Sequence, residues 1–318
     1  MKGKDLLSIA DLTAQDIWDL LDRAQELKGA WTHLLQDKII ALLFEKPSLR
    51  TRVSFEVAMR QLGGQSLFLS PAEVGLGQRE PAAHVARVLS RYVNGLVVRT
   101  FAQSVLHELA ENASVPVING LSDWEHPCQA LADLLTIYEK KGKLSGLTLA
   151  YIGDANNVAR SLLLASALVG MHFHLASPEG YGMDHETVQQ ARSAATASGA
   201  RLLFCQDPAE AASGADVVYT DVWVSMGQEA ESARRLSAFA GYQVDRKLLS
   251  AAAPGALLMH PLPAHPDQEV APGLLEEPPS VVFDQAENRL HLQKAVLLRL
   301  LGKREAPAPG RRQGEGRG

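Results

Sequence analysis

The strongest constraint on this chain is an alternation that repeats along it. Short apolar runs of strand length are followed by polar clusters, and then by stretches with apolar residues at three-to-four spacing. The run at 38–44 (KIIALLF) ends at Glu45-Lys46-Pro47-Ser48, where Pro47 forbids simple continuation. A helix is expected over 48–62, ending at the Gly63-Gly64 pair. Further strands are expected at 65–69, 96–99 and 115–119, with helices at 82–92 and 126–141 and a polar loop at 71–81. Beyond Gly142 and Gly146 the pattern restarts. Strands are expected at 147–152, 172–176, 201–205, 217–220, 256–259 and 281–283, with helices at 158–169 and 286–301. Strands alternating with helices imply parallel sheets covered on both faces. A length of 318 residues suits two such α/β domains rather than one oversized core.

Bulk properties narrow the function. A net charge of -5 and a pI near 6.1 argue against a nucleic-acid footprint, which needs a basic face. The two cysteines, Cys128 and Cys205, cannot build a disulfide framework or a multi-thiolate metal site, and their scarcity fits a reducing cytosol. The start, MKGKDLLSIADLTAQDI, reads as an amphipathic helix start and not a signal peptide. No uncharged apolar stretch reaches the ~18 residues of a membrane span. A soluble, cytoplasmic protein is expected, with no membrane or nucleic-acid partner. The final stretch, 304–318 (REAPAPGRRQGEGRG), has the composition of a disordered tail.

In open parallel sheets, ligands sit at the carboxyl ends of strands. Polar clusters recur at those positions here. Ser48-Leu49-Arg50-Thr51-Arg52 opens a helix, where unpaired backbone N–H groups favour an anion and guanidinium groups add charge-assisted donors. It lacks the G-K-[ST] of a nucleotide loop, so a small phosphate fits better than a triphosphate. His126-Pro127-Cys128-Gln129 opens another helix and offers polar groups for a carbonyl oxygen and an amide. Gly153-Asp154-Ala155-Asn156-Asn157 stands where a dinucleotide fingerprint would, but G-x-G-x-x-G is absent, and paired asparagines suit an amino-acid head group. Asp221, after the apolar strand at 217–220, can hold a cationic amine, and the proline-stiffened loop His260-Pro261-Leu262-Pro263 can present carbonyls to an NH₂ group. Arg289 opens the last helix within reach of an anion. Taken singly, each cluster also fits an ordinary capped helix, turn or solvated arginine. No metal-ligand spacing and no G-x-S-x-G elbow occur.

Together the motifs resemble the aspartate/ornithine carbamoyltransferase family along nearly the whole chain. They are F-E-K-P-S-L-R-T-R (44–52), H-P-C-Q (126–129), G-D-A-N-N (153–157), D-V-W-V-S-M-G (221–227), H-P-L-P (260–263) and A-E-N-R (286–289). The S-M-G element resembles the ornithine branch, where that loop closes over the amino acid. The resemblance implies a carbamoyl-phosphate domain at 1–141 that also takes back the C-terminal helix (286–303), and an ornithine domain at 142–285. It implies a trimer, or a multiple of trimers, and transfer of the carbamoyl group of carbamoyl phosphate to the δ-amine of L-ornithine, with no cofactor or metal. By position, Ser48, Leu49, Arg50 and Thr51 would hold the phosphate; Arg99, His126, Gln129 and Arg289 would surround the carbamoyl oxygen and phosphate, with Pro261 and Leu262 beside them. Asn157, Asp221, Ser225 and Met226 would bind ornithine, and Arg50, Arg99, His126 and Asp221 would carry the catalysis. Three positions depart from the ornithine pattern. Pro261 replaces a cysteine, as in the aspartate branch. The loop 74–78 has glycine where a glutamine often reaches a neighbouring subunit, with Gln78 a possible substitute, and Ala83-His84-Val85-Ala86 lacks the usual aspartate–threonine pair. A carbamoyltransferase for putrescine, an N-acylated ornithine or aspartate, and a non-catalytic binding relative, stay open beside ornithine transfer.

Overall fold

The alternation resolves into two parallel sheets in a computed structural model that describes residues 4–75 and 79–302. Gln78 and the expected tail at 304–318 lie outside the described residues. In the first half, α1 (Ala14–Glu26), β1 (Ile39–Phe44), α2 (Leu49–Gln61), β2 (Gln65–Leu69), α3 (Pro71–Val74), α4 (Ala82–Leu89), β3 (Gly95–Arg99), α5 (Gln103–Asn112), β4 (Val117–Leu121) and α6 (Pro127–Lys141) follow one another. The second half begins with β5 (Thr148–Ile152), α7 (Asn157–Val169), β6 (His172–Ala176), α8 (His185–Ser198), β7 (Leu202–Cys205) and α9 (Pro208–Ala212). It continues through β8 (Val217–Thr220), α10 (Ser232–Ala238), α11 (Arg246–Ser250) and β9 (Leu257–Met259) to α12 (Val282–Leu301).

All strand pairs are parallel, in the orders β2-β1-β3-β4 and β7-β6-β5-β8-β9. Both faces of each sheet are covered, and the alternation of side chains shows it. In β1, Ile40, Leu42 and Phe44 join one core while Ala41 and Leu43 join another on the opposite face. In β5, Leu149 and Tyr151 point into the first core and Ala150 and Ile152 into a third. A strand buried on both sides needs a continuous apolar run, which is what IIALLF supplies.

Strand order reverses between β1 and β3 in the first sheet and between β5 and β8 in the second. Crevices form at such switch points, at the carboxyl ends of the strands. Register places Phe44 of β1 opposite Arg99 of β3, and Ile152 of β5 opposite Thr220 of β8, so each crevice is rimmed by the residues that follow.

The last helix is where expectation and structure part. The apolar triplet at 281–283 is no strand; Val282 and Phe283 open α12. Phe283 is exposed while Val282, Gln285, Arg289, Leu292 and Val296 are buried, a helical period that three residues alone cannot reveal. The strand expected at 115–119 lies two residues later, and the loop at 71–81 contains the short α3. Among the described residues, no helix is long and apolar enough to cross a membrane.

From the second half, α12 packs back on α1, α2 and α6 of the first. Its Lys294 is fully buried and donates to the carbonyls of Leu27 (2.5 Å) and Ala30 (2.8 Å) and to Gln61 Oε1 (2.9 Å). The ammonium thereby satisfies carbonyls just past α1, which otherwise lack intrahelical partners. Lys294→Met keeps the stem but takes this donor from the Ala30 carbonyl and Gln61 Oε1 and leaves the Leu27 carbonyl with only the Ala30 N–H, and should cost about 1–3 kcal/mol of unfolding free energy in urea titration.

Candidate active site

A cleft of ≈ 1330 Å³ runs between the two switch points. The first-domain wall is cationic. Arg50 leaves the first turn of α2, which Ser48 caps by accepting the Thr51 N–H at 3.3 Å. Arg99 ends β3, where the register against β4 slips so that Leu121, not Gly120, stands opposite it. Arg289 reaches the same place from α12, donating to the Thr51 hydroxyl at 2.7 Å. Thr51 therefore stands behind the cleft surface, orienting Arg289, while Ser48 and the exposed Leu49 line it.

These three guanidinium groups are poorly compensated. Burial and the charges of Arg289 and Arg50 push Arg99 down to about 10. Burial, with Arg50 adding to it, brings Arg289 to about 10 as well. Burial likewise lowers Arg50, which Asp221 across the cleft partly offsets. Among the described residues, the Nε atoms of Arg50, Arg99 and Arg289 are buried without a hydrogen-bond partner. Gathered like charges with unused donors are costly unless an anion completes them.

Beside them, His126 precedes Pro127 at the start of α6, its backbone N–H held by Ser161 Oγ at 2.9 Å. Burial, then Arg289, Arg99 and Arg50, hold its imidazole well below the usual histidine range, so it is a neutral group there. Its Nδ1 has no partner among the described residues. One turn on, Gln129 donates Nε2 to Asp133 (2.8 Å), and its Oε1 is left without a partner. Pro261 and Leu262 close this end from the second domain. The Leu262 carbonyl accepts from Arg50, bridging the two domains, and Leu262 takes φ 57, a left-handed value rare for a branched side chain.

The opposite wall carries a carboxylate. Asp221, just past β8, is buried; burial raises its pKa, and His260 and the hydrogen bond from Asn156 partly offset this. Asn156 caps α7, accepting from Val158 (2.9 Å) and Ala159 (3.1 Å), and donates to Asp221 Oδ2 at 2.7 Å. Asn157 donates to the Ser122 carbonyl of the first domain at 2.6 Å and lines the cleft. Ser225 and Met226 line it from the loop before α10, where Gly227 (φ 96) abuts the Phe101 ring of the first domain.

Two groups escaped the sequence reading. Asn156 was one of a pair without a separate role until its cap and its bond to Asp221 were seen. Arg235 of α10 donates to the Trp223 carbonyl (2.6 Å) and pairs with Asp154, tying the Asp221–Gly227 loop to the turn after β5. No spacing in the sequence signals that pair: Asp154 stands in the G-D-A-N-N motif, but Arg235 lies 81 residues on in an ordinary polar stretch.

Two parallel α/β domains facing one cleft, one wall cationic and the other bearing a carboxylate, define a protein that brings a small anion and a cation together. The chain belongs to the aspartate/ornithine carbamoyltransferase family. Residues 4–139 match its carbamoyl-P binding domain and residues 145–300 its Asp/Orn binding domain. It is 52% identical over 306 residues to the ornithine carbamoyltransferase of Anoxybacillus flavithermus, covering 95% of this chain and 98% of that protein. The solved ornithine carbamoyltransferase of Pyrococcus furiosus superposes with a TM-score of 0.91 at 48% identity, over 93% of this chain and 96% of the other. The anabolic ornithine carbamoyltransferase of Campylobacter jejuni superposes with a TM-score of 0.90 at 40% identity, over 94% and 99%.

Uncompensated charge has a measurable signature. Arg99→Met should leave the ligand-free protein as stable as the wild type or more so, because it removes a buried charge that has no ion pair among the described residues. In thermal melts it should also abolish most of the stabilisation that inorganic phosphate confers on the wild type.

Proposed function

We propose that this protein transfers the carbamoyl group of carbamoyl phosphate to the δ-amine of L-ornithine, giving L-citrulline and phosphate. The observation that carries the reading is three guanidinium groups whose buried Nε donors have no partner among the described residues, facing a buried carboxylate across one cleft. On this reading the phosphate sits at the start of α2, against the backbone of Ser48, Leu49, Arg50 and Thr51, with Arg50, Arg99 and Arg289 around it. Gln129 and the Pro261–Leu262 carbonyls meet the carbamoyl amide. Asp221, Asn157, Ser225 and Met226 receive ornithine. Asp221 also favours an amine over aspartate, whose second carboxylate it would repel.

The neutral δ-amine attacks the carbamoyl carbon and a C–N bond forms. Charge gathers on the carbonyl oxygen, where Arg50, Arg99 and an N–H of neutral His126 stabilise it; each such donor is worth roughly 10²–10³ in rate. The C–O bond to phosphorus-bound oxygen then breaks, and the departing phosphate takes the amine's proton. Holding both reactants in place supplies much of the remainder, about 7 kcal/mol or more.

Pro261 puts no thiol beside the amine. Cys128 does not replace one: it is fully buried, burial pushes it up to about 12, and its sulfur rests on the Asn119 carbonyl. Attack by the amine and departure of phosphate need no thiol. We also assign residues 1–141 with the C-terminal helix to the carbamoyl-phosphate domain and 142–285 to the ornithine domain. The packing of α12 on the first domain supports that division.

A cytoplasmic homotrimer, or a multiple of it, completes the reading. Family membership and two unpaired cysteines support it. Sedimentation equilibrium should give the mass of three 34.3 kDa chains or a multiple; a monomer at working concentration contradicts it. The activity itself is tested with carbamoyl phosphate offered to ornithine, putrescine, N-acetylornithine and aspartate. Citrulline should form fastest, and Arg50→Ala should slow it by about 10²-fold or more. Preference for another amine would keep the anion site and refute ornithine; no turnover on any amine would refute the enzyme.

A further inference from the structure

Behind the cleft lies a polar cluster that the reaction as written does not use. Asp133, one turn beyond Gln129 on α6, is fully buried and makes no ion pair among the described residues. Its Oδ1 accepts from Gln129 Nε2 (2.8 Å) and from Gln285 Nε2 of α12 (2.8 Å). Its Oδ2 accepts from the Tyr219 hydroxyl of β8 (2.9 Å). Gln285 in turn gives its Oε1 to the His260 backbone N–H at 3.0 Å, at the root of the loop that carries Pro261 and Leu262. Tyr219, Gln285 and His260 are fully buried too. One carboxylate thus joins α6, β8 and α12, and through Gln285 the loop after β9.

The chemistry of that contact decides how Gln129 faces the cleft. An amide side chain has a donor end and an acceptor end, and either can point outward. Asp133 also accepts from Gln285, whose own oxygen is taken by the His260 N–H, and from Tyr219, and it takes the NH₂ end of Gln129 as its third donor. The acceptor Oε1 is left toward the cleft, buried and without a partner among the described residues. Burial, only partly offset by the three donors, pushes the Asp133 carboxyl up to about 7, which agrees with a group kept dry.

We propose that Asp133 is a positioning residue for carbamoyl recognition: it locks the Gln129 amide with its oxygen toward the cleft, creating an acceptor that reads the NH₂ of the carbamoyl group. This rests on the proposed carbamoyl-phosphate site. A pocket with a committed acceptor rejects a ligand that brings a methyl group there, because the oxygen would then be stranded. The discrimination is against acetyl phosphate, which has the same acyl phosphate and no N–H.

The test compares dissociation constants for carbamoyl phosphate, acetyl phosphate and inorganic phosphate on the full protein, by calorimetry. Wild type should prefer carbamoyl over acetyl phosphate. Asp133→Leu, similar in size but with no acceptor, should lose about tenfold of that preference, with inorganic phosphate bound as before. Asp133→Asn keeps an oxygen for both glutamines and should retain the preference. Gln129→Leu should lose it, and adding Asp133→Leu to Gln129→Leu should lose nothing more. Should Asp133→Leu fail to fold, the contrast between Asp133→Asn and Gln129→Leu decides: equal loss in both overturns the role. Equal weakening of all three ligands by Asp133→Leu, or unchanged preference, overturns it also. A wild type that does not prefer carbamoyl phosphate removes the site on which the role depends, and is distinguishable because no variant is then needed to see it.

Discussion

Arg50, Arg99 and Arg289 are brought into one buried neighbourhood from three separate elements, and most of the site's architecture serves to keep them there. Beyond burial, Arg50 lowers the basicity of Arg99 and Arg289, Arg289 also lowers that of Arg99, and among the described residues each of the three has an Nε with nothing to donate to. Such an arrangement opposes folding, so the surrounding structure must supply what it costs. The compensation visible here is partial: Arg50 reaches the Leu262 carbonyl and Arg289 the Thr51 hydroxyl. A doubly charged ligand would complete the rest. His126 stays neutral because it is buried and because it shares this field, which makes it a donor to an oxygen rather than a fourth cation.

Two features of the fold hold this neighbourhood together. The switch points of the sheets set Arg50 and Arg99 at adjacent strand ends and Asp221 beside the turn after β5, so both walls follow from strand order. The third arginine needs α12, which leaves the second domain and docks on the first. Lys294 anchors that helix against α1 and α2, while Gln285 at its other end connects Asp133 to the loop of Pro261 and Leu262. The same helix therefore delivers an arginine to the cleft and a tether to the domain opposite. Contacts that cross the cleft, Arg50 to Leu262 and Phe101 against Gly227, mark where the two walls meet.

Most of the sheets could be read from apolar runs because both faces are buried, and a doubly buried strand leaves a continuous hydrophobic signature. The polar clusters could be read because parallel strands all end on the same side, so Arg50, His126, Asp221 and Pro261 had to fall near one edge. The triplet at 281–283 misled because three apolar residues carry no period, and the helix it begins becomes visible only with Gln285 and Arg289 on the same buried face. The pairing of Arg235 with Asp154 and the Asp133 cluster were invisible for a different reason. Each depends on partners far apart in the chain, such as Asp133 and Gln285, and no local spacing encodes such pairs.

The most direct measurement is a calorimetric titration of the ligand-free wild-type protein with carbamoyl phosphate across a range of salt concentrations. Three partly satisfied guanidinium groups should bind one molecule per chain, with affinity falling as salt rises because the ligand's charge is the main attraction. Absence of saturable binding, or binding indifferent to salt, would contradict the claim that these arginines are gathered for an anion.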